Sequence, residues 1–324
     1  MRPNIFNWAP SELSQDAFIC WLLSWADIQY QTINPELHQT AQHFIVQLTQ
    51  GKLGGIKQVL VERQHFNIDI LCKINNDYVL LIEDKTNSSD HSDQLRRYLA
   101  HLLTTYTRDK IFPIYLKTGQ QSNFGTVKSA GYSLFLREDF IEVLEFGINT
   151  GITNNIFNDF YNYLLEIDKA IKSFATLPVA EWNWSSWMGF YSLLQKELGQ
   201  GDWGYVHQRN GGFLGFWWDF HTYTHGNITY KYYLQLEHAK FCFKVSPIDT
   251  KHKEQSRDHF RPLLMSKAQQ SGIKIRRNGR IGKHMTVAAL SDDYIKTDDK
   301  GMLDVAATKK SIEKIQDMFS KIKL

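Results

Sequence analysis

The sequence predicts an α/β first half, followed by an α+β second half. Three observations carry this. Residues 78–82 (Tyr-Val-Leu-Leu-Ile) form an unbroken apolar run, as expected of a strand covered on both faces. Apolar residues recur at helical spacing on either side of that region. Beyond Pro178 the composition turns aromatic.

Taken in order, the chain opens with a loop and a helix. Ser11 stands at its N-cap position with Pro10 ahead and Glu12 in the first turn, and Phe18, Trp21, Leu22 and Trp25 share a face. A second helix covers residues 35–49, and the glycines of residues 51–55 break it. Residues 56–64 read as the first strand, ending in Glu62-Arg63-Gln64. Residues 68–74 and 78–82 form two further strands around the turn Asn75-Asn76-Asp77. A polar loop over residues 86–92 leads into an amphipathic helix, 92–106, with Leu95, Leu99, Leu102 and Leu103 on its buried side. Strands follow at 111–116 and 132–136, then helices at 137–146 and 154–174, the latter with an apolar stripe of Ile156, Phe160, Leu164, Ile167 and Ile171.

The division between halves is expected near Pro178, giving domains 1–177 and 178–324. The second opens with a Trp-rich helix, 181–198. Aromatic strand runs at 203–220 and 230–245 follow, interrupted at Gly211-Gly212 and at His225-Gly226-Asn227. A charged helix at 251–271, a strand at 285–290 and a helix at 309–322 complete it.

Charges at the end of an apolar strand need partners, a metal or a function. With the hairpin centred on Asn76, Asp69 lies opposite Glu83. Glu83 and Lys85 share a face, because side chains alternate along a strand. A slip of one residue would move Asp69 to the other face. Two carboxylates on neighbouring strands suit a hard divalent cation, Mg²⁺ or Mn²⁺. Such a cation acidifies a bound water and neutralises charge on a phosphate. Lys85 would orient or deprotonate that water, or stabilise the transition state. The plainer alternative is a salt-bridged strand end.

Asp69 followed by Glu83-Asp84-Lys85 after a hydrophobic strand resembles the signature of the PD-(D/E)XK nuclease superfamily. Gln94-Leu95-Arg96-Arg97-Tyr98 resembles the Q-x-x-x-Y motif of its RecB-like and lambda-exonuclease-like branch. The proline of the family name is replaced by Ile68. The resemblance spans roughly residues 11–118 and implies a restriction-endonuclease-like αβββαβ core with a mixed central sheet. It further implies that Asp69, Glu83 and the backbone carbonyl of Asp84 hold the metal, with Lys85 as the catalytic lysine. Gln94 would steady the lysine or the scissile phosphate, and Tyr98 would approach the nucleic-acid backbone. The i, i+4 spacing places those two on one helix face. Glu12 resembles the acidic residue of the family's opening helix that points at the metal; a first-turn Glu complementing the helix dipole is the alternative.

Arg63 either contacts phosphate or pairs with Asp69. Arg96 and Arg97 can reach a phosphate backbone or form a solvated helix face. The most basic stretch, residues 274–284, carries Arg276, Arg277, Arg280 and Lys283 as candidate phosphate contacts. Exposed aromatics of the second half can stack unpaired bases, although most are expected in its core. Asp219, Glu237 and Lys240 faintly echo the first half at the wrong spacing. Of the twelve histidines, His65 and His91 flank the candidate site.

The chain of 324 residues is 43% hydrophobic and 22% charged, ordinary for a globular protein, with 14% aromatics and nine Trp. A net charge of +3 permits nucleic acid as a partner without demanding it. Cys20, Cys72 and Cys242 stand far apart, which suits a reducing cytoplasm rather than a disulfide framework. No apolar window is long enough to span a membrane. The absence of G-x-S-x-G, P-loop and G-x-G-x-x-G motifs disfavours serine hydrolases, NTPases and dinucleotide-binding proteins. The expectation is a cytoplasmic, metal-dependent nuclease acting on nucleic acid, DNA first. The resemblance places it in bacterial genome defence, including phage restriction, or in repair. The rival is a catalytically silent nucleic-acid-binding or scaffold protein that keeps the fold.

Overall fold

A computed structural model describes residues 3–9, 11–88, 93–208, 211–278 and 281–322. The chain divides into two compact units, Met1–Lys169 and Ala170–Leu324. The expected division lay at 177/178, but Pro178 does not separate cores. Phe174, Leu177 and Val179 already pack against the apolar cluster of the second unit.

In the first unit, α1 (Ile5–Trp8), α2 (Glu12–Ser24) and α3 (Pro35–Leu48) precede β1 (Val59–His65), β2 (Ile68–Ile74) and β3 (Tyr78–Lys85). Then come α4 (Gln94–Leu102), β4 (Ile111–Lys117), α5 (Gly125–Ser129), β5 (Ser133–Leu136), α6 (Arg137–Asn149) and α7 (Asn155–Lys172), within which the division falls. The five strands lie in sequence order; β1–β2 and β2–β3 are antiparallel, whereas β3–β4 and β4–β5 are parallel. This is a mixed sheet with the element order helix, three strands, helix, strand.

The β2–β3 ladder runs from Ile74↔Tyr78 to Ile70↔Ile82, a register centred on Asn76. Asn75 and Asn76 turn the chain with φ of +53° and +56°, a region that Asn tolerates better than other residues with a Cβ. One step past the last pair, Asp69 comes level with Glu83. β3 is buried along nearly its whole length, because helices cover both faces. Leu80 and Ile82 pack with residues of α2, α3, α6 and α7, while Val79 and Leu81 pack with Leu95, Tyr98 and Leu102 of α4. Strand alternation therefore turns Glu83 and Lys85 to the α4 side and Asp84 to the α2 side.

Several local expectations change. Ser11 occupies the N-cap of α2 without capping it through its side chain; its hydroxyl meets that of Ser14 at 3.2 Å. α4 ends at Leu102, so Leu103 leaves the helix face and stands 46% exposed. Ile156, in the first turn of α7, is also exposed, whereas Phe157 and Phe160 are buried.

The second unit contains α8 (Trp184–Leu198), β6 (Asp202–Val206), β7 (Phe213–His225), β8 (Ile228–Glu237), β9 (Lys240–Pro247), α9 (Lys253–Gln270), β10 (Ile275–Arg277), β11 (Met285–Leu290) and α10 (Val305–Ser320). Its sheet has the order β10-β11-β9-β8-β7-β6, antiparallel throughout. The run 230–245 is two strands rather than one, joined where His238 adopts φ +51°. β7 carries a bulge between Trp218 and His221, with Asp219 at φ +56°. An extra residue resets the alternation of side chains. Leu214, Phe216 and Trp218 before the bulge, and His221 and Tyr223 after it, all turn to the side of the sheet packed by α8, α9 and α10.

Candidate active site

Four elements bring the candidate residues together. Asp69 comes from the start of β2, Glu83 to Lys85 from the end of β3, Gln94 and Tyr98 from the first turns of α4, and Glu12 from the start of α2. The Lys85 ammonium is the common point. It lies 2.6 Å from Glu83 Oε1 and 3.3 Å from Asp69 Oδ2, and donates to the backbone carbonyl of Asp84 at 3.0 Å. Asp69 Oδ2 also accepts the Asp84 backbone N–H at 3.0 Å, which fixes its carboxylate to the edge of β3. Gln94 donates to Glu83 Oε1 at 3.0 Å and its amide meets the Tyr98 hydroxyl at 2.9 Å. The glutamine and tyrosine thus share one helix face and one hydrogen-bond network.

The site is deep on one side and open on the other. The Glu83 side chain is 1% exposed, that of Lys85 10%, and that of Asp69 25%. Burial, with the Asp69 charge added to it, pushes Glu83 up to about 7. For Lys85 burial acts the other way, but the carboxylates of Glu83 and Asp69 outweigh it and hold the amine above its ordinary value. At neutral pH Lys85 is therefore an ammonium. It can donate a hydrogen bond to water or phosphate but cannot accept a proton in this state.

Glu12 meets the loop that follows Lys85 rather than Asp69. Its Oε1 accepts the Thr86 backbone N–H at 3.0 Å and the Ser88 hydroxyl at 2.6 Å. Burial raises its pKa, but these two hydrogen bonds and the fields of Lys85 and Lys117 prevail and hold it low. Glu12 thus pins the loop while remaining within the field of the lysine.

A second layer, which no motif announces, lies behind the strand. The Asp84 side chain crosses to the α2 side, where Gln15 donates to its Oδ1. Gln15 in turn accepts from the Thr118 hydroxyl at 2.7 Å, and the Thr118 carbonyl accepts from Arg137 at 3.0 Å. Arg137, only 1% exposed, also binds Asp168 at 3.1 Å and Glu138 at 2.8 Å. Burial first, and then the neighbouring Asp16 carboxyl, drives Asp84 well above the ordinary carboxylate range. Burial and the Asp69 charge push Asp16 up to about 6. The only sequence signal for this layer is a Gln and an Asp on the buried side of an otherwise apolar helix.

The outlying candidates sit as follows. Arg63 and Arg97 are exposed, and the field of Arg63 acts on Asp16. His65 is turned to Glu62 at 2.9 Å. Arg276, Arg277 and Lys283 are exposed in the second unit. His91 and Arg280 lie outside the described residues. Glu237 is level with Lys240 and binds it at 3.4 Å and Lys244 at 3.3 Å, as ion pairs at a strand end. His221-x-x-x-His225 has the spacing of a helical ligand pair but lies on a strand, and His221 is bound to Asp219 at 3.0 Å.

The donor set suits a hard divalent cation. Asp69, Glu83 and the Asp84 carbonyl offer only oxygen, and all three already surround one positively charged atom. Glu83 Oε2 is buried without a hydrogen-bond partner among the described residues, a cost that a ligand would relieve. Among the described residues no group of three or more His, Cys, Asp or Glu is gathered at ligand distance, so two carboxylates and a carbonyl are what this chain brings. No helix among the described residues is long and apolar enough to cross a membrane.

No curated protein and no solved structure matches the chain. Residues 52–177 match the family model of the PD-(D/E)XK nuclease superfamily, and that segment carries Asp69, Glu83, Lys85, Gln94 and Tyr98 on its mixed sheet and first helix. This segment is therefore similar to the PD-(D/E)XK nuclease superfamily.

Proposed function

We propose that the first unit hydrolyses phosphodiester bonds of nucleic acid, with DNA as the substrate class and Mg²⁺ or Mn²⁺ as the cofactor. The observation that carries this reading is the convergence of Asp69, Glu83 and the Asp84 carbonyl on one cationic atom, the Lys85 ammonium. Those three oxygens would hold the cation. When bound, it supplies an acidified water and offsets charge on the scissile phosphate. The chain's own groups do the rest. Lys85, displaced from the three oxygens yet tethered beside them, donates to the phosphate or to the attacking water. Gln94 keeps Glu83 oriented through its 3.0 Å bond, and Tyr98 sits beside Gln94 where the backbone of a substrate would pass. Arg97 and Arg63 are exposed cations for flanking phosphates. Glu12 holds the loop after Lys85 and is assigned a supporting place rather than that of a ligand.

One observation favours the rival reading of a silent binding or scaffold protein: the ammonium itself fills the position a cation would take. Against it stands the unsatisfied Glu83 oxygen, which an ion pair alone leaves stranded. The direct test incubates the full chain with linear, circular and single-stranded DNA, with Mg²⁺ or with EDTA, alongside Asp69→Ala and Lys85→Ala. Metal-dependent cleavage absent from both variants is the expected result. Cleavage equal in wild type and variants would mark a contaminant and overturn the assignment.

A further inference from the structure

The sheet of the second unit has two unlike faces. α8, α9 and α10 pack on one, around Phe216, Trp218, Tyr232, Leu234, Phe243 and Phe319. The register defines what the other face presents. One cross-strand row reads Arg276, Ala289, Cys242, Gln235, Trp217. The next contains Thr286, Lys244 and Tyr233, and Phe220 joins it because the bulge at Asp219 resets the alternation of β7. Beyond that stand Ser246, Lys231 and Thr222.

Two adjoining cavities of about 770 and 720 Å³ lie on this face and share Lys244. The larger is lined by Trp217, Phe220, Tyr233, Lys231, Lys244 and Lys283, among others. Phe220 is 53% exposed and stacks on Tyr233 with ring centroids 4.6 Å apart. Trp217 is half-exposed, and its row ends in the exposed Arg276. Among the described residues lining both cavities, the side-chain charges are Lys231, Lys240, Lys244 and Lys283 against the carboxylate of Glu237. Glu237 is engaged by Lys240 and Lys244, which leaves Lys231 and Lys283 exposed at the rim.

We infer that this face is a binding platform for single-stranded nucleic acid. The inference rests on nucleic acid being the substrate of the first unit, and it assigns the second unit a share in holding it. Flat aromatic faces on a sheet accept unstacked bases of any identity. The lysines and Arg276 around them neutralise a phosphate backbone. A duplex hides its base faces and would gain only the charge contacts. An acidic protein segment would likewise gain charge contacts but nothing from the stacked Phe220–Tyr233 pair.

The test measures fluorescence anisotropy of a labelled oligothymidylate with the full chain in EDTA, so that binding is read without cleavage. Phe220→Ala, an exposed position whose truncation leaves the core intact, is expected to weaken binding roughly tenfold. Lys231→Ala and Lys283→Ala should each reduce the slope of log affinity against log salt by about 0.7 for every phosphate that is no longer neutralised. A hairpin duplex and polyglutamate should compete poorly. The inference is overturned if all three variants bind like the wild type, or if duplex or polyglutamate displaces the oligonucleotide as well as unlabelled oligothymidylate does. Asp69→Ala separates the two claims. Variant-sensitive binding in a chain that never cleaves would sink the nuclease reading alone, whereas cleavage abolished in Asp69→Ala with binding indifferent to Phe220 and both lysines would sink the platform alone.

Discussion

Replacing Lys85 with methionine should tighten metal binding while abolishing cleavage. The ammonium contacts all three oxygens that would hold the cation, at 2.6, 3.0 and 3.3 Å. A metal entering the wild type must push it away and break at least its bond to the buried Glu83. A hydrogen bond to a charged group is worth about 1.5–3 kcal/mol net. At about 1.4 kcal/mol per factor of ten, that is a penalty of roughly ten- to hundredfold in the dissociation constant. Methionine keeps the unbranched stem and removes both the competitor and its repulsion of the ion. Calorimetric titration of Mn²⁺ into the full chain provides the measurement. It should be run near pH 8.5, above the value of about 7 to which burial pushes Glu83, so that proton competition at that carboxyl does not mask the gain. The dissociation constant should fall about ten- to hundredfold in Lys85→Met. An unchanged or weaker affinity would refute the reasoning, because the ammonium would then not be standing where the cation goes.

Three further outcomes follow from other parts of the molecule. A Cβ on Gly119 would lie 2.0 Å from the Thr86 carbonyl oxygen, a contact of backbone with backbone. Gly119→Ala should therefore cost about 1–3 kcal/mol in urea unfolding and lower cleavage by shifting the loop after Lys85; an unaltered midpoint would contradict this. Arg137→Ala removes a guanidinium, 1% exposed, that binds Asp168 and the Thr118 carbonyl. Removing a buried ionic partner costs about 3–5 kcal/mol, and a cost under about 1 kcal/mol by the same measurement would show the network to be slack. In the second unit, burial raises the pKa of Glu237, but Lys244 and Lys240 outweigh it and hold the carboxyl below its ordinary value. A depressed acid supplies stability above its unfolded pKa of about 4.3 and loses it as pH falls through the folded value. The melting temperature of Glu237→Gln, followed by tryptophan fluorescence, should lie below wild type at neutral pH and converge on it in acid.

The hairpin was legible because its determinants are local. Asn75-Asn76-Asp77 sets the turn, and the apolar runs on either side admit few registers. Asp69, Glu83 and Lys85 could be brought together from that register alone, and Gln94 and Tyr98 from helical spacing. The layer of Gln15, Asp16, Thr118 and Arg137 was not legible. The links that tie it together join residues far apart in the chain, such as Thr118 to Gln15, with nothing local to pair them. The aromatic run 230–245 hid its turn for a different reason. His238 bends the chain without Gly, Pro or Asn, and strand-forming residues continue on both sides. The bulge in β7 was equally silent, and with it the side to which Phe220 points.

Asp84 serves two masters at once. Its carbonyl oxygen looks toward Lys85, while its carboxyl is gripped by Gln15 of α2 on the reverse of the sheet. The backbone duty could be done by any amino acid, so a motif written only for the cation's sake leaves this position blank. In this chain the choice of side chain is dictated from the rear. A mutation at Gln15, remote from any substrate, would tug on the peptide unit whose oxygen completes the cradle, and rear-side packing thereby becomes a means of adjusting the chemistry in front.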